Sequence, residues 1–492
     1  MQGCQTSGQC QGQSAYAIIL FMKPSHSTAL RVALVIVLAS VAVALLPTAL
    51  LAHDADLDVS PPGQTTTLAA SVTSTPLDIR LRSPLTLTLA LRTKLHPALL
   101  KQLLTAADDQ LPVQIQLRAQ PNLNQPAMTS AATAADRRAA LVSELQTTAS
   151  HSQAQVLAIL DRAQQADRAS EIRSLWINNS IAARIDRATL LNLAARDDVA
   201  FIQPDRYRQW IDTDFTPTIT PSVQPPTSHL QLARTSALSS RAGRLAPTSI
   251  EWHLARIRAD QVWSMLNITG TGVVVANLDT GVDWQHPALQ ANYRGNNPKG
   301  LPNHHFSWFD ATSDSAQYPY DGYGHGTHTM GILAGSGGIG VAPGAQWIAA
   351  RIFDSTGWAY DSWIHAGFQW ILAPGGDAAQ APDVLSNSWG SDDGGSIEFQ
   401  PDVQVLNAAG IATFFSNGNA GPKAYSVGSP ASFPESFGVG AVDENEQIAG
   451  FSSRGPSPWN SLKPEVSAPG VNIRSSLPGG GYGKMSGTSM AA

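Results

Sequence analysis

The stretch Val273–Trp284, VVVANLDTGVDW, decides the fold. An apolar run of this length bounded by turn residues reads as a strand buried on both faces, and it delivers Asp279 at its carboxyl end. In open sheets of parallel strands, sites form at such ends. Similar short runs follow at Gln346–Phe353 (QWIAARIF), Asp383–Gly390 (DVLSNSWG), Ile411–Gly418 (IATFFSNG) and Ser436–Asp443 (SFGVGAVD). Helix-length stretches separate them. That alternation predicts an α/β fold over residues 250–492, a doubly wound, mostly parallel sheet covered on both faces.

Upstream lies a smaller α/β pattern. LPVQIQL (from Leu111) alternates like a strand, and the segment from Ala132 to Ala166 carries Leu141, Leu145, Val156 and Leu160 at helical spacing. SLWINNSIAARI (Ser174–Ile185) reads as one strand. Asp186 is placed to cap a helix bearing Leu190, Leu191 and Leu193, and VAFIQPD is a short strand ended by Pro204. We take 111–208 as this small domain, 53–110 as its N-terminal part, and the Pro-, Thr- and Ser-rich residues 209–249 as a linker. No internal repeat is evident.

At 492 residues the chain is too long for one ordinary domain. It is 43% hydrophobic and 14% charged, with 40 Gly and 32 Pro, a turn-rich globular composition. A formal charge of −6 gives no reason to expect a nucleic-acid partner. Residues 1–52 hold Lys23 and Arg31, then an apolar run ending near Ala52, the order of a secretory signal. An uncleaved anchor is the competing reading, since Val32–Ala52 is long enough to span a bilayer. Pro47 and the polar HDAD that follows favour cleavage, so any membrane contact would be transient. Residues 1–21 precede a second methionine, Met22, where translation can equally begin. Both cysteines, Cys4 and Cys10, fall in this leader, which excludes cysteine catalysis in a mature protein.

Three motifs carry chemistry. Asp279 in the first could be a plain turn aspartate, or one half of an aspartic-protease pair. No second Asp-Thr/Ser-Gly occurs, which leaves the latter only to a homodimer. The second, DGYGHGTHTMGILAG (Asp321–Gly335), opens a helix with His325 and His328, whose spacing suits a metal, a structural pair or a base. The adjoining GSGGIG (Gly335–Gly340) matches a dinucleotide fingerprint, but it follows a helix and reads as a loop. The third, MSGTSMAA (Met485–Ala492), surrounds Ser489 with small residues, and alone would be a helix cap. Together they change the odds. A serine becomes a good nucleophile when an imidazole takes its proton, and the imidazole needs a carboxylate to fix its tautomer and support its charge.

With EWHLARIRADQVW, IGVAPGAQWIAARIF, FSSRGPS and KPEVSAPGVNIRSS, these motifs make residues 250–492 resemble the subtilisin family (subtilases) of serine peptidases, in particular its bacillopeptidase F-like subgroup. The resemblance implies Asp279 as orienter, His325 as base, Ser489 as nucleophile and Asn419, in SNGNAG, as oxyanion donor, with His328 belonging to the helix. It implies extended polypeptide substrates lying along Ser388, Trp389 and Gly390, near Gly418 and Gly428. Trp389 has core packing as its competing reading, and Asn417 reads as a left-handed turn residue. The resemblance further implies a secreted precursor whose 53–208 region is a propeptide, a folding aid and temporary inhibitor, with processing between Gln209 and Ser249. The chemistry needs no cofactor. Structural calcium is expected in such proteins, and Asp392 and Asp393 are an acidic pair, but no spacing is diagnostic. Sequons occur at Asn178 and Asn267. The rival from another class is a non-catalytic peptide-binding protein of the same fold. Because the sequence ends at Ala492, three residues after Thr488–Ser489 begin a turn, we expect the printed stretch to be a truncated, inactive piece without the helix that should support Ser489.

Overall fold

The computed structural model describes residues 89–105, 110–123, 133–211, 218–219 and 250–492. The leader and signal reading for 1–52, most of 53–110, the sites of Cys4 and Cys10, and nearly all of 212–249 lie outside the described residues. Every described residue belongs to one compact unit.

The described chain opens with two short helices, α1 (Leu89–Lys94) and α2 (Pro97–Thr105), then strand β1 (Leu111–Leu117). Helix α3 (Ala134–Gln165) follows. It starts at Thr133, whose side chain accepts from the Asp136 amide (3.1 Å) and donates to the Asp136 carboxylate (2.7 Å), satisfying a helix-terminal N–H that would otherwise lack a partner. Next come β2 (Ala169–Leu175), β3 (Ser180–Ile185), α4 (Arg187–Ala194) and β4 (Val199–Pro204). The strands make an antiparallel sheet ordered β2-β3-β1-β4. The segment expected to be one strand is therefore a hairpin. Asn179, with φ of 51°, adopts the left-handed conformation that short amides tolerate, and the chain reverses there. Asp186 caps α4 as expected, by accepting from the Thr189 amide.

Strands β5 (Tyr207–Gln209) and β6 (Thr218–Ile219) precede the larger body. That body runs α5 (Trp252–Arg256), α6 (Ala259–Leu266), β7 (Val274–Asp279), β8 (Trp308–Asp310), α7 (His325–Ala334), β9 (Gln346–Arg351), β10 (Trp358–Tyr360), α8 (Asp361–Leu372), β11 (Val384–Asn387), α9 (Gln400–Ala408), β12 (Ala412–Ser416), β13 (Phe437–Val442), β14 (Val466–Pro469), β15 (Ile473–Leu477) and β16 (Gly481–Met485). Its seven-stranded sheet has the order β14-β13-β12-β11-β7-β9-β8, and every pairing is parallel. All five apolar runs singled out in the sequence are strands of this sheet, which is the predicted α/β, doubly wound architecture. β7 sits between β9 on one side and β11 on the other, where the winding changes direction and a site is expected.

Helix α3 joins the two α/β parts. Its C-terminal half packs Val156, Leu160 and Ala163 on the small sheet, while Leu141, Val142 and Leu145 in its N-terminal half belong to the core of the larger body. In the first turns of the helix Arg138, buried, donates to the carbonyls of Ala409 (3.1 Å) and Ala381 (3.4 Å). A cation at the end of α9 suits the unpaired carbonyls there.

Candidate active site

Asp279 ends β7 with its side chain fully buried, and His325 is the first residue of α7. The imidazole Nδ1 lies 2.8 Å from Asp279 Oδ1 and 2.9 Å from Oδ2. The carboxylate also accepts from its neighbour Thr280 N (2.7 Å) and from Thr329 Oγ1 (3.3 Å). An acceptor on Nδ1 fixes the proton there and leaves Nε2 as the basic nitrogen. Asn277, two residues before Asp279 on β7, donates to Gly326 O and Thr329 Oγ1, both at 3.1 Å, and so locks the helix to the strand.

The turn after Asp279 depends on glycine. Gly281 has φ of 105°, and a Cβ there would lie 1.9 Å from the carbonyl oxygen of Tyr320. This close approach brings the loop before His325 against the strand end. His328, one turn further on, is buried, and its Nε2 donates to the carbonyls of Ile473 (3.1 Å) and Gly483 (3.2 Å) in the β15–β16 hairpin. Burial drives its pKa down to about 3, so it is a neutral structural donor.

Ser489 lies in a 3₁₀ turn, Thr488–Met490. Ser489 Oγ donates to Ser388 O and Ser388 Oγ donates to Ser489 O, both at 2.9 Å, a reciprocal pair that fixes the nucleophile candidate beside the end of β11. Thr488 does the same for Asn419. The amide Oδ1 accepts from Thr488 N (3.0 Å) and Oγ1 (2.9 Å), and Thr488 Oγ1 in turn accepts from Gly418 N (3.2 Å). Two donors on Oδ1 assign the amide's orientation and turn its Nδ2 the other way. Asn417 is not the left-handed residue of this turn. Gly418 is, with φ of 101°, while Asn417 is buried and donates to Ser453 O (2.7 Å).

The remaining candidates divide. Gly390 and Gly428 flank a backbone pairing in which Ser391 N donates to Ser429 O (2.8 Å) and Ser429 N to Ser391 O (3.1 Å). A Cβ on Gly428 would lie 2.4 Å from Ser391 O, so the space its missing side chain leaves is taken by the protein itself. Trp389 is 2% exposed, enclosed by Phe353, Phe368, Phe399, Phe415 and Trp210. Core packing thus accounts for most of its surface, and one of its covers comes from the N-terminal lobe.

That cover belongs to a larger contact. β5 pairs antiparallel with β10, Arg208 opposite Ala359, and Trp210 N donates to Gly357 O (3.0 Å). Arg206 and Arg208 pair with the buried Asp361, Arg206 also reaches Glu398, and Asp205 accepts from Ser362 N (2.9 Å) and Oγ (2.6 Å) at the start of α8. Gln369 Oε1 accepts from the amides of Trp176 and Ile177. Asn178, one of the sequon residues, is buried in this contact. Among the described residues no three His, Cys, Asp or Glu side chains are grouped to hold a metal ion.

Sequence reasoning passed over Asn277, Thr280, Thr329, Thr488 and Asp321, all within or next to the motifs it quoted. Their signal is the hydroxyl, amide or carboxylate placed at an otherwise apolar or small-residue position, which only the fold connects to the reacting groups.

Comparison with known proteins follows the same map. The family model described as the subtilase family matches residues 270–492. Bacillopeptidase F of Bacillus subtilis (strain 168) is 38% identical over 384 residues, 74% of this chain and 25% of that protein. Subtilisin E of the same strain is 36% identical over 250 residues, 49% of this chain and 58% of the relative. Subtilisin of Bacillus pumilus is 36% identical over 250 residues, covering 49% of this chain and 80% of that protein. The chain thus spans about a quarter of the length of bacillopeptidase F and somewhat over half that of subtilisin E.

Proposed function

This chain belongs to the subtilase family, and from that premise we propose that it carries the peptidase domain of a secreted serine endopeptidase made as a precursor. The observation that carries the reading is the buried contact of Asp279 with Nδ1 of His325 at the end of the central strand. In this account Asp279 keeps the Nδ1 proton in place, and Nε2 of His325 takes the proton of Ser489 as its Oγ attacks the substrate carbonyl. The hydroxyl exchanges its bond to Ser388 O for one to His325 when substrate is bound. Negative charge then develops on the carbonyl oxygen, where Nδ2 of Asn419 and the amide of Ser489 donate to it. His325 returns the proton to the leaving amine, and water releases the acyl group by the same route. The reaction draws on these groups of the chain and on water, and needs no cofactor.

The 53–208 region acts in this account as a propeptide. Support comes from β5 pairing with β10 and from Trp210 against Trp389, as a docked peptide strand would lie. Maturation then cuts between Gln209 and Ser249, and the signal in 1–52 directs export. Among the described residues no helix is long and apolar enough to cross a membrane.

Hydrolysis of peptide substrates by the full-length protein, compared with Ser489→Ala and His325→Ala, tests the proposal. Loss of hydrolysis in both variants is expected. A parent that binds peptides without cutting them would favour a non-catalytic peptide-binding protein instead.

A further inference from the structure

Asp321 opens the motif that contains His325, and its carboxylate is nearly sealed from solvent. Oδ1 accepts from Tyr323 N (3.0 Å), Gly324 N (2.7 Å) and Thr280 Oγ1 (2.9 Å). Oδ2 accepts from Thr327 N (2.8 Å) and Thr327 Oγ1 (2.7 Å). Both hydroxyls receive a backbone amide of their own, Thr280 from Gly326 (3.0 Å) and Thr327 from Asp283 (3.0 Å), which leaves each hydroxyl proton for Asp321. Five donors converge on one carboxylate.

The location makes this more than a loop anchor. Thr280 follows Asp279, and Gly324 and Thr327 flank His325 in the first turn of α7. One side chain therefore binds the two loops whose relative position sets the Asp279–His325 contact. The N-terminus of a helix also carries partial positive charge, which opposes a charged imidazole at its first residue.

We propose that Asp321 is a positioning residue for the base: it holds the first turn of α7 against the end of β7 and offsets the positive helix terminus, so that the imidazolium of His325 can form. The inference rests on the reading of His325 as the proton acceptor. Burial pushes the Asp321 carboxyl above its ordinary range while its donors pull it down, and the five donors leave no place for a carboxyl proton. The other groups around this site are Asp279 on β7, Asp283 in the following turn, His328 on α7, Tyr320 and Tyr323 in the loop, and Arg351 on β9, itself paired with Asp310 and Asp314. From the β15–β16 hairpin, Ser475 and Ser476 donate to the carbonyls of His328 and Thr327.

The test is the pH dependence of peptide hydrolysis by the full-length Asp321→Asn variant. The amide keeps the shape but removes the charge and sets N–H against N–H. Turnover should fall about tenfold to a hundredfold with KM within about threefold, and the acid limb of kcat/KM should move down by about half a pH unit or more. Turnover within about a factor of two of the parent and an unmoved acid limb would overturn the proposal. Should this variant not fold, Thr280→Val removes a single donor. It should lower turnover with Thr280→Ser restoring it, and an unchanged Thr280→Val enzyme would equally overturn the idea. His325→Ala is assayed in parallel, since activity surviving there would refute the base assignment itself and not the role of Asp321.

Discussion

Trp210 of the N-terminal lobe stands edge-on to Trp389 of the larger body, ring centroids 5.6 Å apart and planes at 83°, and only 5% of Trp210 is exposed. The two rings join the lobes beside the Ser388–Ser489 pair. Substitution of Trp210 by Ala should therefore cost about 3–5 kcal/mol, as for other large buried aromatics, and should loosen the lobe. Urea unfolding in a Ser489→Ala background checks this. A loss below about 1 kcal/mol would mean that the backbone pairing of β5 with β10 carries the contact.

Asp205 gives the same interface a pH dependence. Burial raises its pKa to about 6, with the bonds from Ser362 and Gln114 opposing. A carboxyl raised in the docked state stabilises docking fully below its ordinary value, and that contribution is lost as pH rises through about 6. Other groups titrate here, including His365, held between Asp402 and Glu398 and raised to about 10, so the difference between parent and Asp205→Asn isolates the effect. The stability gap should favour the variant increasingly from pH 4.5 to about pH 7. A constant gap would contradict the assignment to Asp205.

Gly281→Ala should disrupt the site from outside the reacting atoms. The residue combines a positive φ with a carbonyl only 1.9 Å from the new methyl position, so the Tyr320 loop must move and carry His325 with it. Turnover is expected to fall at least tenfold together with the melting temperature. A variant with parental turnover would show that this loop tolerates displacement.

Asn419→Ala removes the donor oriented by Thr488. Turnover should drop about a hundredfold to a thousandfold while KM changes far less, because the interaction strengthens only as charge forms on the oxygen. Steady-state kinetics reads both quantities. A drop under about threefold would exclude Asn419 as oxyanion donor.

Much of this was legible in the sequence because local pattern and fold agree. The five apolar runs are strands, and Asp186 caps its helix. Leu141, Leu145, Val156 and Leu160 are all buried. What escaped is long-range. That Leu141 and Leu145 serve a different core from Val156 and Leu160 depends on where the small sheet docks, which no helical period encodes. The hairpin at Asn178–Asn179 hid because apolar residues on both sides continue the strand pattern across it. For Trp389 the sequence left substrate contact and core packing both open, and only the fold brings Trp210 against it and Ser391 against Gly428. Asp321 went unread because its role lies in its contacts: four of its five donors belong to residues within its own motif, and Thr280 comes from the end of β7.

The most direct test of the whole account is covalent labelling of the full-length protein with a fluorophosphonate, followed by mass spectrometry of the modified peptide. We predict a single adduct on Ser489 that is absent in Ser489→Ala and strongly reduced in His325→Ala. Labelling of a different serine, or labelling of Ser489 that survives His325→Ala undiminished, would contradict it.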